Sequence, residues 1–265
     1  MNPELIITGA AGRMGKRIIA LAVESGQFDI VGAVDRAGHP DCGRDVGVLA
    51  GAKAINVSLS PDFPSTADAM IDFSLPEAFE NNINYCVKNN VAIVLGTTGL
   101  NEAQLAKVRQ ASESIPVIQA TNMSVGMNVL FSIVGKVAAM LGPDYDIEII
   151  EEHHRFKKDA PSGSALTLAK NVATARNLPF PQCLTHGRSG KEALRQPDTI
   201  GMHAIRAGDI TGEHDVIFST LGETVKISHS AHNRDNFARG ALKAAAWLVG
   251  KAPGLYSMTN VLGLE

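Results

Sequence analysis

A chain of 265 residues that is 45% hydrophobic and 19% charged can bury sizeable cores and suits one large or two modest domains. Its net charge of −3 offers no electrostatic footprint for a nucleic acid, and no apolar run reaches membrane-spanning length. Residues 1–4, MNPE, lack the basic region of a secretory signal, and Cys42, Cys86 and Cys183 are widely separated without metal-ligand spacing; a cytoplasmic protein with reduced thiols and no structural metal is expected.

Leu5–Thr8 predicts a short apolar strand, residues 9–15 (GAAGRMG) a glycine turn and Lys16–Glu24 an amphipathic helix. The GxxGxxG spacing of Gly9, Gly12 and Gly15 is a variant of the dinucleotide fingerprint, in which backbone without Cβ must approach a pyrophosphate held at a helix N-terminus. A second strand, Ile30–Val34, leads into Asp35, twenty residues beyond Gly15, where an acid accepts the adenine ribose hydroxyls. Arg36 follows directly. Two unit charges about 4 Å apart interact by roughly 4 kcal/mol at an effective dielectric near ~20, so Asp35 repels a 2′-phosphate about as strongly as Arg36 attracts it. Use of both NADH and NADPH is expected, with the preference left open.

Ala69–Phe73 predicts the next strand, Pro76–Lys88 a helix with Pro in its first turn, and Val91–Leu95 a buried strand. Asn101 is placed to cap a helix running to about Ser112, and Val117–Ala120 is a further strand. Such alternation implies a parallel sheet covered by helices, with ligands beyond the strands' carboxyl ends. Three of those ends carry small polar residues: Phe73 and Ser74; Gly96, Thr97 and Thr98; and Ala120 to Ser124. They are expected to line the nicotinamide half of a cofactor cleft.

After Met127 the pattern changes to longer, strand-rich segments. Tyr145–Ile150 reads as a strand ending at Glu151 and Glu152, and residues 151–165, EEHHRFKKDAPSGSA, follow at its exit. Ser162 or Ser164 caps a helix beginning near Ala165, and a helix start beside cations is a site for a carboxylate. His153 and Lys157 add proton donors that burial can tune. A solvated turn of mixed charge is the bland alternative for such a segment. Met202–Ala207, Glu213–Thr220 and Glu223–Ser230 predict antiparallel strands of a second, α+β domain whose sheet leaves one face for a partner subunit. A helical pattern returns from Asn236 to Val249 and is expected to pack back on the first domain. The expected boundaries are therefore 1–124 plus 235–265 for dinucleotide binding, and 125–234 for substrate binding and oligomerisation.

The order of GAAGRMG, VDR, IDFS, GTTG, ATNMSVG, EEHHRFKKDAPSGSA, IRAGDI and GEH resembles the 4-hydroxy-tetrahydrodipicolinate reductase (dihydrodipicolinate reductase) family over essentially the whole chain. The resemblance implies a Rossmann-like parallel-sheet domain, a second α+β domain on a mixed, largely antiparallel sheet, and a cytoplasmic homotetramer formed through those sheets. It implies NADH and/or NADPH as cofactor and a cyclic dicarboxylate as substrate, reduced in the diaminopimelate route to lysine. Carried over by position, it assigns Gly9, Ala10, Ala11, Gly12, Arg13, Met14, Asp35, Arg36, Gly96, Thr97, Thr98, Ala120, Thr121, Asn122 and Met123 to the nucleotide. His153 and Lys157 go to proton handling, and His154, Gly163 and Ser164 to the substrate's carboxylates. Most members have Thr where this chain has Ser164, a change that keeps the hydroxyl. Lys157, rather than the adjacent Lys158, matches the family register.

Two other readings compete. A two-domain semialdehyde dehydrogenase would share the glycine turn but needs an activated cysteine near a base. A non-catalytic NAD(P)H-sensing protein would have no use for His153 and Lys157 beside an anion site.

Overall fold

The computed structural model describes residues 1–264. The chain begins β1 (Glu4–Thr8), α1 (Arg13–Ser25), β2 (Asp29–Val34), α2 (Val46–Leu49), β3 (Leu59–Ser60), β4 (Ala69–Asp72) and α3 (Phe79–Asn89). It continues β5 (Ala92–Leu95), α4 (Glu102–Ser112), β6 (Pro116–Gln119), α5 (Val125–Leu141), β7 (Asp146–His153), α6 (Gly163–Ala175) and β8 (Leu184–His186). The remainder is β9 (Ile200–Arg206), β10 (Glu213–Thr220), β11 (Glu223–Ser230), α7 (Asp235–Leu248), β12 (Gly254–Tyr256) and α8 (Met258–Leu262). Two compact units result: Met1–Val125 with Arg234–Gly263, and Gly126–Asn233. Among the described residues no helix is long and apolar enough to cross a membrane.

The first unit is built on a seven-stranded sheet of order β12-β6-β5-β4-β1-β2-β3, every pair parallel. All four residues of β4 and of β5 are buried. Their near-continuous apolar sequence is what a strand covered on both faces requires. One apolar cluster joins α1 and α7 to the sheet through Ile18, Ile19, Ala22, Ala241, Ala245 and Leu248. A second, with Phe79, Ile83, Val108 and Ala111, seats α3 and α4 on the other face. Strand order reverses between β1 and β4, so the connections leaving their carboxyl ends run opposite ways and leave a crevice. Asn101 caps α4 by accepting from Gln104 N, and the Gln104 side chain returns the bond as a capping box. The helix expected from Pro76 starts at Phe79 instead, because Pro76 sits in a preceding turn closed by i to i+3 bonds from Ala78 N to Leu75 O and Phe79 N to Pro76 O.

The second unit carries a five-stranded mixed sheet of order β11-β10-β7-β9-β8. Its pairings divide evenly. β10 is antiparallel to β7 and β11, whereas β9 is parallel to β7 and β8, which corrects the expectation of an antiparallel β9. Ile147, Ile149, Val216, Phe218, Ile200 and Met202 face a core completed by Leu130, Val134, Leu168 and Val172 of α5 and α6. The strand-rich reading beyond Met127 overlooked α5. That helix is apolar nearly all round, with Val129, Ile133 and Met140 exposed, so it shows little amphipathic signal. The strand expected to end at Glu151 and Glu152 continues to His153, held by its parallel register with Arg206.

Candidate active site

In the first unit, a cavity of about 810 Å³ opens at the strand-order reversal, lined by Thr8, Gly9, Ala11, Gly12, Asp35 and Arg36 on one side and by Phe73, Ser74 and Asn82 on the other. Gly9 is held at φ +68, and a Cβ there would stand 2.5 Å from the Phe73 carbonyl oxygen. A Cβ on Gly15 would meet Gly9 O at 2.2 Å, so both positions need glycine for the turn to close against α1. Gly12 meets only Gly9 O, at 3.0 Å, and precedes a helix that no side chain caps. The first-turn N–H groups of α1 therefore keep their donor capacity for an anion.

Asp35 serves the same turn. Its Oδ2 accepts from Ala11 N and its Oδ1 from Arg36 N, both at 2.9 Å, while each oxygen retains lone-pair capacity for a sugar hydroxyl. Behind the turn lies a network that the sequence reading missed. Buried Asp72 accepts from Thr8 Oγ1 at 2.7 Å and Ser74 N at 2.9 Å, and Asn82 Nδ2 donates to Thr8 Oγ1 and Ser74 Oγ. The signal available was the acid that ends the apolar run of β4. An uncapped helix start, an acid at the β2 end and a cavity of this size fit a dinucleotide. Gly96, Thr97, Thr98 and Ala120–Met123 follow β5 and β6 on the same sheet edge, outside that cavity's lining. Ala10 and Met123 are buried in the core.

The second constellation lies at the end of β7. Alternation along the strand sends Ile147, Ile149, Glu151 and His153 to one face, so the apolar stripe ends in an acid and an imidazole. Glu151 is fully buried. Its Oε2 faces His153 Nδ1 at 2.5 Å and accepts from Arg206 Nη1 at 2.8 Å. Its Oε1 accepts from Arg206 Nη2 at 2.7 Å and Ser162 N at 3.0 Å. Burial pushes the Glu151 carboxyl up, but the Arg206 and His153 hydrogen bonds outweigh burial and hold it below the usual carboxylate range. Burial lowers His153 in turn, against the opposing pull of Glu151.

Sheet register supplies the other members. Arg206 pairs with His153 across β9, and His214 pairs with Glu151 across β10. His214 is buried, stands edge-on to His153 with centroids 5.3 Å apart, and shares a 3.0 Å hydrogen bond between Nε2 and Ser162 Oγ. Burial, reinforced by His153, pushes His214 down to about 3. Ser162, not Ser164, caps α6 by accepting from Ala165 N at 3.1 Å. Gly163 and Ser164 form that helix's first turn. Lys157 is half-buried with Nζ 2.9 Å from both Asp159 oxygens, whereas Lys158 is exposed. His154 lies against the exposed Phe156, and its buried Nδ1 has no hydrogen-bond partner among the described residues.

The model of dihydrodipicolinate reductase, N-terminus, matches residues 3–123, and that of dihydrodipicolinate reductase, C-terminus, matches residues 126–262. This chain belongs to the dihydrodipicolinate reductase family. The 4-hydroxy-tetrahydrodipicolinate reductase of Citrifermentans bemidjiense is 44% identical, with 99% of each chain covered, and that of Alkalilimnicola ehrlichii is 45% identical over 100% of each. A solved dipicolinate-bound dihydrodipicolinate reductase from Paenisporosarcina sp. TG-14 shares the fold at TM-score 0.71 and 23% identity, covering 97% of this chain and 98% of that one.

Cys42 is half-buried, whereas Cys86 and Cys183 are buried, and burial raises both of those thiols. The nucleophile that a semialdehyde dehydrogenase requires is not supplied by either.

Proposed function

We propose that this chain reduces 4-hydroxy-2,3,4,5-tetrahydrodipicolinate to 2,3,4,5-tetrahydrodipicolinate with loss of water, using NADH and NADPH. It does so as a cytoplasmic homotetramer in lysine biosynthesis through diaminopimelate. Nucleotide contacts come from Gly9 to Met14, Asp35, Arg36, Gly96 to Thr98 and Ala120 to Met123. A reduced nicotinamide, when bound, supplies hydride to the electron-poor conjugated carbon left as water departs.

His153 is the proton donor. Its Nδ1 is tied to Glu151, so Nε2 is the atom that delivers a proton to the ring carbon beside the one reduced. The dianionic substrate itself favours the charged imidazolium, offsetting the burial that lowers His153. Lys157 brings positive charge toward the ring nitrogen and carboxylates as negative charge develops. The first turn of α6 at Gly163 and Ser164, with His154, holds a carboxylate. Homotetramer formation is supported by the sheet face opposite the core, where Ile150 and Ile217 are half-buried and Ile205 is exposed.

The observation that carries this reading is an imidazole fixed by a buried carboxylate at a strand end, beside Lys157 and the start of α6. Coupling the protein to the synthase that makes its unstable substrate, and following absorbance loss of NADH and NADPH separately, tests it. Loss with both is expected. No loss with either would favour the sensing protein, and a monomeric native mass would overturn the tetramer.

A further inference from the structure

Glu151 does not reach solvent, yet it takes four of the site's polar contacts. A buried carboxylate costs several kcal/mol unless its oxygens are filled by donors. Here they are filled from three elements: the paired guanidinium N–H groups of Arg206 on β9, Ser162 N at the start of α6, and the His153 ring on β7 itself. Arg206 also donates to Asp159 O at 2.7 Å, which ties the loop carrying Lys157 to the same guanidinium.

The geometry points to Glu151 as the positioning residue for His153, fixing the imidazole with its proton on Nδ1 and Nε2 free to exchange, while Arg206 keeps Glu151 ionised. This rests on the reading of His153 as proton donor. The charged and titratable groups facing His153 are Glu151 on its own strand, Lys157 on the following loop, Arg206 on β9 and His214 on β10, with His229 paired beyond His214 on β11. Glu151 is the one anion among them. Gly212 flanks the ring on the far side: a Cβ there would lie 3.1 Å from His153 Nε2, so glycine keeps that nitrogen open.

A Glu151→Gln variant reverses the arrangement. Oε1 receives two fixed donors, Arg206 Nη2 and Ser162 N, against one, Arg206 Nη1, at Oε2, so the Gln oxygen takes the Oε1 place and its amide nitrogen that of Oε2, where Arg206 Nη1 loses that acceptor. The amide then donates to Nδ1 and moves the imidazole proton to Nε2. Loss of the negative charge also favours the neutral ring, so the alkaline limb of turnover against pH moves to lower pH, by about one unit or more.

The test uses 15N-histidine NMR of the unaltered protein near neutral pH, with the His153 signals assigned by their loss in His153→Gln, together with kinetics of Glu151→Gln, His153→Gln and the double variant. Protonated Nδ1 with bare Nε2 is expected, as is a fall in kcat of about 10²-fold or more in Glu151→Gln with NADH affinity unchanged. The double variant should be no slower than His153→Gln. The opposite tautomer in the unaltered protein overturns the proposal even where Glu151→Gln fails to fold. So do a folded Glu151→Gln with an unaltered pH limb, and an additive loss in the double variant. Turnover surviving in His153→Gln would overturn the underlying reading, and this proposal with it, whereas loss there beside intact Glu151→Gln kinetics overturns this proposal alone.

Discussion

The two units build their candidate sites from different materials. In the first, the glycine turn offers backbone: positions without Cβ, an uncapped helix start and an acid that accepts from the turn's own N–H groups. In the second, buried side chains do the work, with Glu151 and Arg206 paired around His153. A backbone site depends on shape and tolerates no added atoms; a buried ionic site depends on charge balance and tolerates no missing partner.

Arg206→Met breaks the comparison hardest, because it strands Glu151 as an uncompensated buried charge. A loss of about 3–5 kcal/mol in urea unfolding is expected. The second unit should also respond more to acid. His214 is held near 3 when folded, below its unfolded value, so it stays neutral in the native state while the unfolded chain takes up a proton. Its stabilising contribution is therefore complete above about pH 6.5 and declines as pH falls toward 3, by about 3 kcal/mol at pH 4. Glu151, also lowered, adds to the decline below the ordinary glutamate range. His214→Gln should flatten the upper part of that curve.

In the first unit Gly15→Ala forces a methyl into Gly9 O and Ala10, for an expected loss of about 1–3 kcal/mol in unfolding measurements. Gly12→Ala brings its methyl only to 3.0 Å from Gly9 O, so it should lower the melting temperature less than Gly15→Ala while weakening NADH binding about tenfold, roughly 1.4 kcal/mol, by calorimetry. Asn101→Ala, which removes only the α4 cap, should cost about 1 kcal/mol and leave both sites working.

The same contrast explains what could be read from the residues alone. Gly9, Gly12, Gly15 and Asp35 announced themselves because a backbone site is written as residue spacing along one β-turn-α segment. His153 and Lys157 are legible as a cluster, whereas Glu151 reads only as a strand end. Its period-two relation to Ile147, Ile149 and His153 was the available clue. Arg206 and His214 enter through strand register, and for Arg206 that register requires knowing that β9 runs parallel to β7, which the sequence between them does not announce. Helix α5 escaped because a segment apolar on nearly every side carries no phase.

In the proposed reductase the second unit supplies proton transfer independently of how the first binds nucleotide. His153→Gln, assayed side by side for NADH affinity and for turnover with synthase-generated substrate, tests it most directly. Unchanged NADH affinity with turnover reduced about 10²–10⁴-fold is predicted; turnover near that of the unaltered protein, or nucleotide binding lost along with it, would contradict the account.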